Sequence, residues 1–211
     1  MIANGIDFLL KGGFVMWPLF ACAVIAVAVM IERFIALNKA GSDSDALMTQ
    51  VRDLLSQSKA DEALALCQSN PGPIPQLLAT GIRNRHLGAD SIERLMEELA
   101  LVETPTLYLR LNWLDTIITI APLLGLLGTV TGMIRSFHVV ASAQALNAPT
   151  AITGGVAEAL IATATGLAIA IVTLVGYNAL TEKVKRVISQ MEIRATQLIN
   201  IVADSQLKSG A

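Results

Sequence analysis

The stretch Gly154–Leu180, GGVAEALIATATGLAIAIVTLVGYNAL, is apolar or small at nearly every position and carries one carboxylate, Glu158. At about 1.5 Å per residue, a helix of this length crosses a hydrocarbon layer about 30 Å thick. Backbone polar groups in lipid must be satisfied within the segment, so such a stretch folds as a helix. A charged side chain there costs about 3 kcal/mol or more, so an acidic residue inside the span marks a functional position. The competing reading places Glu158 near the outer water, because it lies only a turn or two inside the start of the span.

Two more apolar blocks precede it. No charge occurs from Phe14 to Ile31, and the first transmembrane helix is placed at residues 14–37, with Trp17-Pro18 at its outer end. A cleaved signal peptide is the rival reading; the region before the block is not basic and no small-x-small site closes it. The second span, 113–136, contains IAPLLGLLGTVTGM. Pro122 predicts a kink, while Gly125, Gly128 and Gly132 lie along one side. Gly128-x-x-x-Gly132 has the spacing that lets helix backbones approach closely in lipid, and Ala162-x-x-x-Gly166-x-x-x-Ala170 repeats it in the third span, 152–180. A phosphate-binding loop is rejected, since no Gly-Lys-Ser/Thr follows the glycines and their flanks are apolar. With 54% hydrophobic and 15% charged residues among 211, the chain is less charged than a soluble domain, which is about a quarter charged.

Residues 38–112 read as a soluble helical module. Apolar residues recur at helical spacing through Ala46, Leu47, Val51, Leu54 and Leu55, and again through Ala63, Leu64 and Leu66. NPGPIP, Asn70–Pro75, breaks the chain. A short helix is predicted from Gln76 to about Arg85, then a longer one capped by Asp90 with Glu93 in the capping-box position. Residues 1–13 form a short outer segment, with Ile2, Ile6, Leu9 and Leu10 on one helical face, and residues 137–151 form an outer connection. Past Tyr177-Asn178 no breaker intervenes, so the helix is expected to run on as a C-terminal stalk, 181–211.

Of the 15 Lys and Arg residues, only Lys11 precedes the first span and only Arg135 lies between the second and third; the others fall in Arg33–Arg110 or from Lys183 onward. The positive-inside rule then puts the N-terminus outside and the 38–112 module and stalk in the cytoplasm. The expected fold is an all-α integral membrane protein with three transmembrane helices and long cytoplasmic helical extensions. Three spans make a poor channel alone, so the small-residue faces argue for a homo-oligomer.

The residues exclude an enzyme: no nucleophile–base pair, nucleotide loop or metal cluster is visible, and no cofactor, metal or nucleic-acid partner is expected. Cys22 and Cys67 sit in different environments and imply no disulfide. His86 reads as a surface residue and His138 as an interfacial loop residue rather than a relay. At about 100° per residue, Glu158, Ala162, Thr165 and Ile169 share a face, with Thr163 turned roughly 140° from Glu158. Thr129 and Thr131 are the polar residues of the IAPLLGLLGTVTGM run, and a membrane Thr commonly bonds its own backbone, so chemistry alone does not single out Thr129. Burial favours the neutral form of a carboxyl, which can then take up and release a proton as its surroundings change.

APLLGLLGTVTGMIRSF (121–137) and EALIATATGLAIAI…YN (158–178) resemble the two signature spans of the MotA/TolQ/ExbB proton-channel family. The three-span layout is similar to the ExbB and TolQ branches rather than to the four-span flagellar stator. The resemblance implies an inner-membrane energy transducer: a pentamer around a dimer of a single-span ExbD-like partner, using proton-motive force to energise a TonB-like protein and outer-membrane transport. In the TolQ branch the output is the Tol–Pal envelope system. Matched by position, the resemblance makes Glu158 the titrating relay and Thr129 and Thr163 pore lining; Thr165 joins them by sharing the Glu158 face, and Gly125, Gly128, Gly132 and Gly166 serve helix packing.

Two positions depart from the family pattern. Val172 stands where many relatives have Pro, and Arg135 is not expected from the motif; it either snorkels to head groups or pairs with an acidic group outside. The alternative from another class is a non-conducting membrane scaffold in which Glu158 is structural. Proton and sodium coupling both remain compatible with a carboxylate and threonines, the resemblance favouring protons.

Overall fold

A computed structural model describes residues 13–41, 44–142 and 148–209. Every regular element among them is an α-helix: α1 (Met16–Gly41), α2 (Ser44–Ser56), α3 (Ala60–Ser69), α4 (Pro73–Arg83), α5 (Ala89–Leu107), α6 (Leu111–Ser142) and α7 (Ala148–Ser209). The expected face of Ile2, Ile6, Leu9 and Leu10 lies outside the described residues. The chain divides into two compact units, one from the N-terminal part through Ile31 with Arg110–Ala179, the other from Glu32–Leu109 with the chain after Leu180. Helices α1 and α7 supply residues to both.

The first unit is apolar. Three helices of the chain are long and apolar enough to cross a membrane, and no more than 28% of the most apolar window of any of them is buried. Large side chains such as Phe20, Val24, Leu123, Leu126, Leu160, Ile171 and Val175 are exposed on it. Its interior is built instead from small residues and a few larger ones, including Leu19, Ala26, Leu114, Ala121, Ala159 and Ala162. Helix α6 runs unbroken through Pro122, which leaves the Ile118 carbonyl without its in-helix donor. Helix α7 likewise runs unbroken through Val172.

The predicted outer connection is shorter than 137–151. Residues Phe137–Ser142 stay in α6 and Ala148–Ala151 already belong to α7. Nothing from Phe137 to Ser142 breaks a helix, and Pro149 falls in the first turn of α7, where its missing N–H has no partner to lose. The remainder, 143–147, lies outside the described residues.

In the second unit, larger side chains do the packing. Helix α4 is buried along most of its length, through Pro73, Ile74, Pro75, Leu77, Leu78, Ala79, Gly81 and Ile82. It packs against α3 and α5, while α2 packs against α3 and α4. Ile92 and Met96 of α5 and Val184, Val187, Met191 and Leu198 of α7 complete the core. A Cβ on Gly81 would come within 2.9 Å of Met96 Sδ and also meet Leu198, which places α4 between α5 and the α7 stalk.

Two boundaries differ from expectation. Helix α4 starts at Pro73 rather than Gln76, because prolines are accommodated in a first turn; the break is confined to Asn70–Gly72, where Gly72 has a φ of +145° that favours glycine. Helix α5 starts at Ala89 behind Gly88, which makes no side-chain cap bond, so Asp90 is not the cap. Asp90 sits inside the first turn, where its charge complements the helix dipole.

Candidate functional site

The α6–α7 contact of the apolar unit is made by residues without bulk. A Cβ on Gly125 would lie 2.9 Å from Thr163 Cα, on Gly128 2.5 Å from Ala162 Cβ, and on Gly132 2.9 Å from Ala159 Cβ. From the other side, a Cβ on Gly166 would meet the Ala121 carbonyl and come 3.2 Å from Gly125 Cα. The two small-residue rows therefore face each other within one chain. They no longer argue for a second copy, and that argument passes to the exposed apolar side chains.

Close approach brings polar groups into reach across the helices. Thr163 Oγ1 donates to the Gly125 carbonyl at 2.9 Å, the span-to-span hydrogen bond that glycine at 125 makes possible. Beyond the glycine row, Arg135 Nη1 donates to Glu158 Oε1 at 2.9 Å. The Glu158 side chain is 24% exposed and that of Arg135 62%. Gly13, at the entry to α1, faces the same carboxylate: its φ is +74°, and a Cβ there would collide with Glu158. Ser136, the residue after Arg135, is buried and donates to the Gly132 carbonyl at 3.0 Å, with Gly155 packed against its hydroxyl.

Not all candidate residues gather around Glu158. Thr129 donates to the Leu126 carbonyl at 2.7 Å and Thr165 to Ile161 at 2.8 Å, each within its own helix. With Thr163 turned to Gly125, the three hydroxyl protons are all spent on backbone carbonyls, leaving oxygen lone pairs as their free function. The carboxylate's cross-helix partner is Arg135, which the sequence left between head groups and an outer acidic group. No spacing rule predicts that pairing, since the two residues stand 23 apart on different helices. The signal available was electrostatic: Arg135 is the lone cation between the second and third apolar blocks, and Glu158 the lone anion of the third.

Chemically, the site offers one carboxylate and one guanidinium at the edge of an apolar helix pair, with threonine oxygens along it. A carboxylate and hydroxyl oxygens are groups that can accept a proton or a small cation.

A protein-family model described as the MotA/TolQ/ExbB proton channel family matches residues 69–193. A putative biopolymer transport protein, ExbB-like 3, from Synechocystis sp. is 34% identical, covering 80% of this chain and 81% of its own. A Tol-Pal system protein TolQ from Pseudomonas aeruginosa is 30% identical, covering 78% and 75%. A biopolymer transport protein, exbB1, from Vibrio cholerae is 26% identical, covering 85% and 80%.

Proposed function

The chain belongs to the MotA/TolQ/ExbB proton channel family, and from that premise we propose that it is a proton-channel subunit of an inner-membrane energy-transducing complex. In this reading it acts with an ExbD-like single-span partner and a TonB-like protein, converting proton-motive force into work for outer-membrane transport. Its N-terminus is periplasmic, and the 38–112 module and the C-terminal stalk are cytoplasmic, following the distribution of positive charge. The exposed apolar side chains of α1, α6 and α7 support assembly as a homo-oligomer, a pentamer by family likeness, in contact with lipid and with the partner's span.

The observation that carries the reading is Glu158. It is the one carboxylate of the Gly154–Leu180 span, partly sheltered and set on the helix pair whose sequence matches the family. An ionisable group so placed takes part in ion passage more often than in packing. Glu158 is the titrating relay; Thr129, Thr163 and Thr165 offer acceptor oxygens along the pathway; Gly125, Gly128, Gly132 and Gly166 hold α6 and α7 together.

Because relatives bear both ExbB and TolQ names, the second reading is a TolQ-like subunit of an envelope system. Complementation of strains lacking one or the other system separates the two. The test of the relay is Glu158→Gln in the complex co-expressed with its partner, with proton-driven output and native mass both measured. Loss of output with an intact assembly is expected. Full output from the mutant assembly returns Glu158 to a structural role and the chain to a non-conducting scaffold.

A further inference from the structure

The Arg135–Glu158 pair is sheltered unequally. The carboxylate is held back at 24% exposure while the guanidinium reaching it across 2.9 Å stands 62% exposed. Among the described residues, two groups face the carboxylate: the Arg135 guanidinium from α6, and the backbone of Gly13 ahead of α1, whose missing Cβ makes the seat possible. His138 is the other titratable residue at this end of α6 and is exposed.

We propose that Arg135 is a positioning residue for Glu158, an internal counter-ion that holds the carboxylate over Gly13 and must let go before Glu158 accepts a proton. This rests on Glu158 being the relay. In the loading step a proton from water adds to a Glu158 carboxylate oxygen and the bond from Arg135 Nη1 breaks. The guanidinium keeps its charge and turns into water. In the unloading step the proton returns to water and the pair re-forms, with no electron transferred. Unequal exposure assigns the motion: Arg135 has a long stem and open surroundings, whereas Glu158 is confined between α6 and Gly13. Removing the guanidinium removes the group that holds the carboxylate over Gly13.

The experiment uses the full chain in lipid vesicles at neutral pH and reads the infrared carbonyl bands of Glu158. Those bands are isolated by subtracting the spectrum of the Glu158→Gln version of each protein. Wild type is expected to show a carboxylate band, Arg135→Gln a protonated carboxyl band in its place, and Arg135→Lys the carboxylate band again. A carboxylate band of unchanged intensity in Arg135→Gln overturns the proposal, as does Arg135→Lys behaving like Arg135→Gln. Should Arg135→Gln not fold, folded wild type is treated with cyclohexanedione, which neutralises exposed arginines, with Arg135→Lys as the protein lacking the target. The protonated band should then appear in wild type alone, and its failure to appear overturns the proposal. The spectra report the pair whether or not the vesicles conduct. Unchanged spectra in Arg135→Gln count against the counter-ion only, whereas full proton-driven output from the Glu158→Gln complex with its partner counts against the proposed function.

Discussion

The two units each contain an arginine–carboxylate pair, and the pairs are built in opposite ways. In the apolar unit the carboxylate of Glu158 is sheltered and Arg135 is exposed; in the polar unit Arg194 is sheltered, at 8% exposure, and its partner Asp45 is 87% exposed. Arg194 also donates to Gln197 Oε1 at 2.8 Å and Gln190 Oε1 at 3.0 Å, and Gln190 accepts from Ser44 at 3.3 Å. A guanidinium tied into that many acceptors is a packing piece with one geometry. A sheltered carboxylate held by one exposed cation is tied at a single point. The sheltered partner differs accordingly: a fixed cation joins α2 to the α7 stalk, and a fixed anion sits where we propose the relay.

The contrast extends to how helices meet, and it can be broken most forcefully there. Gly166→Ala puts a Cβ against the Ala121 carbonyl and 3.2 Å from Gly125 Cα, backbone atoms that cannot step aside. Gly81→Ala in the polar unit meets Met96 Sδ at 2.9 Å and the end of Leu198, both flexible. Overpacking costs about 1–3 kcal/mol. Gly166→Ala should sit at or above the upper end and Gly81→Ala near the lower, as read by thermal inactivation in detergent. Equal losses would mean that the α6–α7 approach is not closer in kind than the α4 packing.

Next in size is truncation of the two arginines. Arg194→Ala removes a buried stem and three partners and should destabilise by about 2 kcal/mol, more through packing than through charge, because Asp45 stays solvated. Arg135→Ala should change stability by less than about 1 kcal/mol, as for other exposed partners, while altering the behaviour of Glu158. Denaturant titration of both variants makes the comparison, and a stability loss at Arg135 matching that at Arg194 would make the Glu158 pair a packing piece as well.

What could be read from sequence follows from the range of the forces involved. Long apolar blocks announce three spans without any tertiary knowledge, and α7 runs from its span into its stalk because no residue near Tyr177 or Glu182 stops a helix. Short-range rules erred by a turn: Pro73 opens α4 where the NPGPIP run read as a break, and Gly88 stands at the N-cap position given to Asp90. The small-residue spacing was visible in both α6 and α7, but its partner was not, and the rows close on each other within one chain. The meeting of Arg135 with Glu158 depends on the relative rotation of two helices, which no local pattern encodes.

Cys67 sharpens the contrast at a smaller energy. It is a buried thiol of the polar unit, and desolvation pushes it up to about 11 from 9.0. A thiol that holds its proton more tightly when folded leaves stability intact below about pH 9 and erodes it as pH rises from there toward 11. The loss by pH 9.5 should be under about 1 kcal/mol and should vanish in Cys67→Ala. Alkylation of Cys67 at pH 8 should run about a hundredfold slower than for a free thiol, since thiolate is the reacting form. Rapid labelling of Cys67 would show the polar unit opening readily, and the fixed geometry assigned to Arg194 would go with it.

The smallest effect is expected where neither unit's packing is engaged. Gly88 precedes α5, makes no side-chain cap bond, and a Cβ there meets nothing within 4 Å. Its φ of −64° and ψ of 153° already suit a capping residue. Gly88→Ser adds a hydroxyl that can accept from the backbone N–H groups of Asp90 or Ser91, so stability should rise by a few tenths of a kcal/mol, roughly the usual difference between serine and glycine at this position. Gly88→Ala, with the same Cβ and no oxygen, should give no such gain. If both variants stabilise equally, the benefit comes from restricting the unfolded chain rather than from capping. If both destabilise, the space before α5 is filled by something other than solvent, and the polar unit is packed more tightly at its edge than at Gly81 in its core.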